Sequence, residues 1–494
     1  MAVPKIIGSE IEYGVIVPND PNFDPIAVSL LLVNSYHGDP QRRLLWDYDQ
    51  EEPFTDARGF EVDADFEPPD DQSNMSINTT LTSGARYYLD HAHPEFSTPE
   101  CTNARDIVRY EKAGERIVEV SRTRAEPLLP GGRRIIIYKN NSDRKGNSYA
   151  CHENYLMDRN TPFGQIVEQF IPFLVTRQIF CGAGKVGAEN GTDPCTYQIS
   201  QRADFFETEV GLDTMVKRPI INTRDEPHAN RERYRRLHVI LGDSNMSEYS
   251  IYVRVGVTAL VLQMIEDHFI SKDLSLRHPV KAVKEVSRDL TCKRPIELAG
   301  GRTLSPVDVQ REYLAFAQRY VNEYGANESV RDVLQRWETL LDKLATDPFS
   351  LRREVDWVAK WHLLTSYMDR RREDWDSSRV AMMDLQYHDL RPERGLYFLL
   401  ERQGAVERLL SEDDIVEAIE NPPTDTRAYF RGMVLKKFRE QVFGVNWDSL
   451  SFNLGEGPIK RILMEEPLKG TKAHVQGLLE RSRTVAELMA NLSA

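Results

Sequence analysis

The N-terminal segment combines strand-forming residues with two acids that would share one face of a strand. It reads Lys5-Ile-Ile-Gly-Ser-Glu-Ile-Glu-Tyr-Gly-Val-Ile-Val17, is rich in β-branched residues and contains no proline. Because side chains alternate along a strand, Ile7 and Ile11 face one side, and Glu10 and Glu12 face the other. Neighbouring carboxylates repel unless a cation neutralises them, and Mg²⁺ prefers oxygen ligands. The segment therefore predicts a sheet with one apolar and one acidic face.

A second acidic segment runs from Gly84 to Cys101. If it begins as a strand, Arg86, Tyr88 and Asp90 point to the same face. Three further polar residues follow at once: Glu95, Thr98 and Glu100. The crowding of carboxylates favours a site completed by metal cations or phosphates, and the alternative is the solvent face of an antiparallel strand.

The rest of the chain predicts an α+β fold, in which helices cover the back of an antiparallel sheet and the polar face of the sheet forms the site. Strand patterns, expected to form one antiparallel sheet, occupy 5–17, 86–90, 133–139, 182–188, 197–200 and 235–242. Helical patterns occupy 103–125, 163–181, 253–265, 307–326 and 329–345. The loop Asn421-Pro-Pro-Thr-Asp425 separates a large domain, 1–420, from a small C-terminal domain, 421–494.

Composition narrows the function classes. The net charge of −14 argues against a general nucleic-acid binder, because phosphate neutralisation needs clustered basic residues. Five cysteines without CxxC spacing indicate neither a disulfide framework nor a zinc site. With no signal peptide and no apolar run long enough to span a bilayer, we expect a cytoplasmic protein that does not bind membranes.

Six blocks of the sequence, in order, resemble the Pup ligase and Pup deamidase/depupylase family, which belongs to the carboxylate-amine ligase superfamily together with glutamine synthetase. The blocks are 8–14, 84–101, 146–155, 236–245, 384–389 and 446–450. The resemblance implies a large glutamine synthetase-like domain with an antiparallel sheet backed by helices.

Two features resemble the deamidase/depupylase branch rather than the ligase branch. One is the motif Asp90-His-Ala-His-Pro-Glu95, and the other is a long insertion over residues 35–83. Within the insertion, 47–71 contains one basic residue, Arg58, together with several prolines. This composition predicts a mobile segment, and its place before Asp90 suggests a gate over the site, a passive surface loop being the alternative.

The resemblance assigns roles to matching positions. Asp90 matches the catalytic aspartate, which attacks a side-chain carbonyl or activates a water. Metal ligands are matched by Glu10, Tyr88 and Glu95, with Glu12 and Glu100 as further candidates. Nucleotide contacts are matched by Arg86, Thr98 and Trp447. Weaker candidates for metal or substrate-carboxylate contacts are His152, Asn154, Arg202, Arg224 and His238, and a histidine satisfied within the core is the alternative for His238.

The implied activity is deamidation of the C-terminal Gln of Pup, a prokaryotic ubiquitin-like protein, and hydrolysis of the isopeptide bond between Pup and substrate lysines. The cofactors implied are ATP, or ADP plus phosphate, and Mg²⁺. The partners are Pup and pupylated proteins, with a functional link to the bacterial proteasome. A Pup ligase that forms a γ-glutamyl phosphate is the first alternative. An inactive Pup-binding adaptor is the second, although it should have lost the carboxylates that this chain retains.

Overall fold

The computed structural model describes residues 2–20, 22–37, 44–49, 51–61, 69–214, 216–455 and 457–492. Strands β1 to β20 are Ile7–Glu12, Gly14–Ile16, Leu45–Trp46, Thr55–Asp56, Phe60–Glu61, Asn78–Thr80, Arg86–Asp90, His93–Ser97, Ile136–Tyr138, Cys151–Asp158, Lys185–Val186, Tyr197–Gln198, Phe206–Gly211, Arg218–Asn222, Tyr234–Val239, Ile296–Glu297, Thr303–Leu304, Val442–Val445, Ser449–Phe452 and Lys460–Leu463. Helices α1 to α15 are Pro25–Ser35, Asp71–Ile77, Ala104–Ala125, Phe163–Cys181, Glu248–Glu266, Pro279–Arg288, Pro306–Tyr324, Glu328–Thr346, Asp356–Arg371, Ser378–Gln386, Leu396–Arg402, Glu412–Glu420, Ala428–Phe438, Lys472–Arg481 and Val485–Leu492.

The main sheet has six strands in the order β15-β10-β1-β8-β7-β6, and every neighbouring pair is antiparallel. The predicted α+β class is thereby confirmed. The prediction that all strand segments join one sheet is wrong, because β2 leaves the main sheet and pairs with β9, while β11 and β12 form a separate ribbon. Three strands of the main sheet, β6, β8 and β10, were missing from the prediction.

Helices close the apolar face of the main sheet. Helix α1 packs on β7 and β8, α3 on β1, and α5 on β10. Helix α3 approaches so closely that a Cβ added at Gly114 would lie 2.5 Å from the ring of Phe96. A glycine is therefore required there by packing rather than by backbone conformation. The opposite, polar face of the sheet remains available for a site.

Buried charges join β1 to the helices behind it. Ser9 donates to Glu111 Oε1 at 2.7 Å, and the Arg254 Nη2 atom lies 2.8 Å from the same oxygen. Lys139 Nζ contacts Glu111 and Glu115 at 3.1 and 2.9 Å. Because an unpaired buried charge is costly, these contacts hold the strand that carries Glu10 and Glu12 in one position.

The C-terminal residues have a core of their own, built from α13, α14, α15 and the sheet β20-β19-β18-β3. Strand β3 reaches this sheet from the insertion and runs parallel to β18. We propose that 421–494 is a small domain, as the sequence suggested, completed by a strand from residues 35–83.

The described helices include none that combines the length and the apolar character needed to cross a bilayer. The helix predicted over 253–265 is the central part of α5, most of whose side chains are buried. All five cysteines are free, in agreement with their spacing.

Candidate active site

Strand register brings the acidic residues of the two N-terminal segments together. Glu10 of β1 lies opposite His152 of β10, and Glu12 lies opposite Glu95 of β8. Strand β7 lies beyond β8 and ends at Asp90. The prediction that these carboxylates share one face is confirmed, and the face lines an open cleft of about 810 Å³.

Three acids, Glu12, Asp90 and Glu95, offer oxygens that all lie within 4.8 Å of one another. Burial, followed by the charges of Asp90 and Glu12, raises the pKa of Glu95 well above its ordinary value. Burial also opposes ionisation of Asp90, but the hydrogen bond and charge of His91 outweigh it and lower the pKa of Asp90. The His91 Nδ1 atom lies 2.9 Å from Asp90 Oδ2. A divalent cation would relieve the repulsion among the acids, so this cluster fits Mg²⁺.

A second cluster lies around Glu10, whose ligand atom falls within 4.8 Å of those of His152 and His238. Asn154 Nδ2 donates to Glu10 Oε1 at 2.7 Å, and Arg236 Nη1 lies 3.7 Å from the same oxygen. Burial, assisted by the charge of His152, lowers the pKa of His238 well below its ordinary value. His238 is therefore a neutral imidazole, the form that binds metals, and it faces the site rather than the apolar core.

Tyr88 and Arg86 contact each other beside the first cluster. Burial and the charges of Glu95 and Glu10 raise the pKa of Tyr88 well above its ordinary value, so the phenol is neutral. The Arg86 guanidinium lies between the rings of Trp46 and Tyr88, 3.8 and 3.9 Å from their centroids. Tyr88 is thus suited to reach a metal through a water molecule, whereas Arg86 is held as a fixed cation.

A second cavity adjoins the cleft, and Glu10 lines both. Thr98 and Trp447, two of the predicted nucleotide contacts, lie in its wall together with His228. The backbone N–H of Ser9 donates to Thr98 Oγ1 at 3.0 Å, which fixes that side chain. Arg86 is not among the side chains that line this cavity, so its contact with a nucleotide stays a prediction.

Glu100 is not available as a metal ligand, and this expectation is corrected. Its Oε1 atom accepts hydrogen bonds from Arg427 Nε at 2.7 Å and Arg431 Nη1 at 3.1 Å, and its Oε2 atom contacts Arg431 Nη2. Burial opposes ionisation of Glu100, but the charges of Arg431 and Arg427 dominate and lower its pKa to about 2. Glu100 therefore fastens α13 to the main sheet.

The substitution Glu100→Gln is expected to destabilise the protein by about 3 kcal/mol at pH 7, because it leaves two buried guanidiniums without their carboxylate. The pKa of Glu100 falls from 4.5 to about 2 on folding. Its stabilisation is therefore complete above pH 4.5 and disappears as the pH falls towards 2. Urea unfolding of the wild type and of Glu100→Gln at pH 7 and pH 3 measures this loss of stability.

The control Glu417→Gln removes an ion pair with Arg109 in which the Glu417 side chain is 62% exposed, and it should lower the unfolding free energy by less than about 1 kcal/mol. Equal costs for the two variants would contradict the assignment.

The described residues of the insertion contact Trp447 of the second cavity, the C-terminal sheet and, through the bridge between Asp56 and Arg224, the wall of the cleft. The Trp46 ring lies 5.3 Å from that of Trp447, and Arg461 pairs with Asp47 at 2.8 Å. The backbone N–H of Glu52 donates to Glu226 at 2.7 Å. No described residue of 35–83 lines the cleft, so the expected gate over Asp90 is not found there. Residues 38–43, 50 and 62–68 of the insertion lie outside the described part.

The cleft also contains Arg202 and Arg224, and their contact with a substrate carboxylate stays a prediction. Sequence reasoning missed four other residues that surround the clusters: His91, His93, Arg218 and Arg236. His93 Nδ1 lies 3.4 Å from Glu12 Oε2. Three of the four fall inside blocks that carried the resemblance, and these blocks could have indicated them. Arg218 lies outside every block, and no sequence signal marked it.

The helix-backed antiparallel sheet, with acids on its polar face, defines a glutamine synthetase-like protein of the Pup ligase type. In the crystal structure of the complex between Pup and its ligase PafA, the ligase superposes on this chain with a TM-score of 0.82 and 32% identity, covering 97% of this chain and 92% of that one. The model of the Pup-ligase protein family matches residues 5–451, and the chain belongs to this family.

The relatives of this chain within the family are named either as depupylases or as Pup ligases. A depupylase of Acidothermus cellulolyticus is 51% identical over 99% of both chains. A Pup deamidase/depupylase of Mycobacterium tuberculosis is 45% identical, also over 99% of both. A Pup–protein ligase of Kineococcus radiotolerans is 42% identical over 82% of this chain and 90% of its own.

Proposed function

We propose that the protein is a nucleotide- and Mg²⁺-dependent hydrolase that deamidates the C-terminal Gln of Pup and removes Pup from the lysines of pupylated proteins. The observation that carries the proposal is sequence similarity: the relatives named as depupylases are 51% and 45% identical over 99% of this chain, whereas the ligase relative is 42% identical over 82% of it. Both reactions break the same bond, between the γ-carbonyl carbon and a nitrogen.

The acid clusters and the adjoining cavity support a role for each group. Glu12 and Glu95 would hold one Mg²⁺, and Glu10 with His152 and His238 would hold another. Thr98 and Trp447 would contact ATP, or ADP plus phosphate, with the indole offering a face to the base. When bound, the cation supplies positive charge that polarises the substrate carbonyl.

Asp90 is the catalytic residue in this proposal. Its pKa lies below the ordinary value, so it is anionic at neutral pH, as a nucleophile or general base must be. It either attacks the γ-carbonyl carbon or accepts a proton from the attacking water, and His91 orients its carboxylate. The C–N bond breaks, the nitrogen leaves as ammonia or the lysine amine after gaining a proton, and the carbonyl carbon gains the water oxygen.

The partners that follow are Pup and pupylated proteins, together with a functional link to the bacterial proteasome. The proposed reaction takes place in the cytoplasm, and the protein binds neither nucleic acid nor membranes.

Nucleotide stoichiometry separates the hydrolase from a ligase. Isopeptide formation in water is uphill and must consume ATP, whereas hydrolysis is downhill. With a Pup conjugate, ATP and Mg²⁺, we expect far less than one ADP for each Pup released over many turnovers. Quantifying ADP and free Pup in the same samples measures this ratio.

The control uses Pup ending in Glu with a lysine-containing acceptor protein under identical conditions, where no net conjugate should accumulate. One ADP per Pup, or net conjugation in the control, would identify the chain as a ligase.

A further inference from the structure

Cleavage of the C–N bond in the proposed reaction needs two proton transfers, and Asp90 provides for one of them. The attacking water must lose a proton, which Asp90 accepts, or which is released when water hydrolyses an acyl intermediate on Asp90. The nitrogen must gain a proton, because an alkyl amine or ammonia is too basic to leave as its anion. A proton donor beside Asp90 is therefore required.

A histidine of the cleft contacts Asp90 directly. Among the described residues, four histidines line the cleft: His91, His93, His152 and His238. The last two belong to the cluster around Glu10, and His93 Nδ1 lies 3.4 Å from Glu12 Oε2. The Nδ1 atom of His91, in contrast, lies 2.9 Å from Asp90 Oδ2. Of these four, His91 is the one placed to act together with Asp90.

The ring of His91 is held at one nitrogen and accessible at the other. Because the Asp90 carboxylate can only accept a hydrogen bond, His91 Nδ1 carries the hydrogen between them. The His91 side chain is 58% exposed, and no group in the described part of the chain forms a hydrogen bond with its Nε2 atom. Nε2 can therefore exchange protons with a substrate and with solvent.

The backbone of His91 has a conformation that favours glycine. Asp90 pairs with His93 across β7 and β8, so residues 91 and 92 form a two-residue hairpin turn. His91, the first residue of the turn, has a φ of 49°, and glycine is favoured at such a position. Residues with this kind of strain concentrate at functional sites. A histidine at this position therefore indicates a role for its side chain.

The imidazole ring is long enough to reach the leaving nitrogen. Its two nitrogens are about 2.2 Å apart, so Nε2 lies about 5 Å from Asp90 Oδ2. An oxygen that attacks the γ-carbonyl lies within about 3 Å of Asp90, and the leaving nitrogen is two bonds, or about 2.4 Å, from that oxygen. Nε2 and the leaving nitrogen thus lie at similar distances from Asp90, where a hydrogen bond can join them.

The neighbouring charges favour the protonated form of His91. The hydrogen bond and charge of Asp90 raise the pKa of His91 with help from Glu12, and outweigh burial and the charge of Arg224. Two other groups near Asp90 are unsuitable as acids. Arg224 does not release its proton, and the pKa of Tyr88 is raised well above its ordinary value by burial.

Resting on the proposed function, we infer that His91 is the general acid that protonates the leaving nitrogen. As the C–N bond breaks, the proton moves from His91 Nε2 to the nitrogen, which departs as ammonia or as the lysine amine. The water oxygen becomes bonded to the carbonyl carbon, and the proton that the water loses returns to His91. Each cycle thus leaves Asp90 and His91 in their starting states.

The test compares two leaving groups on Pup ending in Glu, whose γ-carboxyl is linked either to a lysine side chain or to p-nitroaniline. The second leaves with little need for a proton. His91→Asn retains an N–H donor near the position of Nδ1, and asparagine tolerates a positive φ. For this variant we expect kcat/KM to fall at least about 100-fold on the lysine conjugate, but less than about threefold on the p-nitroanilide. Mass spectrometry and absorbance measure the two products.

His91→Gly removes the ring and relieves the strained turn, so it should unfold at no lower temperature than the wild type. Its activity on the lysine conjugate should be as low as that of His91→Asn. Added imidazole should raise that activity at least about tenfold, because the exposed position admits a free proton donor. The p-nitroanilide should respond much less.

His93→Asn is the matched control, because His93 follows the same turn but contacts Glu12 rather than Asp90. Whatever rate it loses, its ratio between the two substrates should equal that of the wild type. Equal losses on both substrates in His91→Asn would overturn the inference, since His91 would then only orient Asp90. Failure of imidazole to restore His91→Gly would also overturn it. Failure of the wild type to cleave the lysine conjugate would refute the proposed function itself, and the inference with it.

Discussion

The substitution Asp90→Asn is expected to lower the rates of deamidation and depupylation by at least about 10³-fold, because it removes the anionic oxygen that attacks the carbonyl or accepts the proton of water. The fold should not suffer. Asparagine has nearly the same shape, and its neutral amide relieves the repulsion with Glu95 and Glu12 that raises the pKa of Glu95. Single-turnover cleavage of a Pup conjugate measures the rate, and thermal unfolding measures the stability.

The matched control is Asp158→Asn, in the same sheet at the end of β10. Asp158 accepts a hydrogen bond from the backbone N–H of Asn160 at 2.8 Å and lies outside both acid clusters. This variant should retain most of the activity. Turnover of Asp90→Asn within tenfold of the wild type, with nucleotide binding intact, would remove Asp90 from the catalytic role.

Removal of divalent cations is expected to reduce turnover to background, because the acids on the polar face then repel both one another and the phosphates of a nucleotide. Readdition of Mg²⁺ should restore it. A measurement that does not depend on activity is also available: Mg²⁺ at 100 times its Kd should raise the unfolding free energy by about 2.7 kcal/mol. The midpoint of thermal unfolding, measured with EDTA and then with excess Mg²⁺, reports this gain.

Glu95→Gln and Glu100→Gln make a matched pair for the same measurement. Glu95 belongs to the acid cluster, whereas both Glu100 oxygens are occupied by arginines. The Mg²⁺-dependent rise in midpoint should shrink strongly in the first variant and persist in the second. Cleavage that continues in EDTA, or an equal loss of the Mg²⁺ response in both variants, would contradict the metal assignment.

Sequence patterns predicted the elements in which one period dominates. Strand β1 alternates apolar and acidic residues, and α4 begins and ends where its pattern does. Strand β10 was not predicted, because it has polar residues on both of its faces. His152 and Asn154 face the site, while Glu153 lies behind the sheet, 2.7 Å from Arg177. A strand whose buried face contains a charge lacks the alternation that identifies strands.

The candidate site could be predicted as far as its strands could be paired. Glu12 and Glu95 follow from two neighbouring motifs. The same reasoning selected Glu100, because a pattern of alternation cannot reveal arginines that are 327 and 331 residues away in sequence. Arg218 was missed for a related reason, since its position depends on Ser148, in another part of the chain.

The pairing of β3 with β18 joins the two ends of the chain, and Asn446 donates to the carbonyl of Asp47 across 399 residues of sequence. A ribosome that adds about 5–20 residues per second needs about 25–100 s to complete such a chain. During that interval Trp46 cannot pack against Trp447, which lines the second cavity. Nascent chains and prematurely terminated products should therefore be unable to retain nucleotide. Only fully translated chains should then cleave Pup from its conjugates.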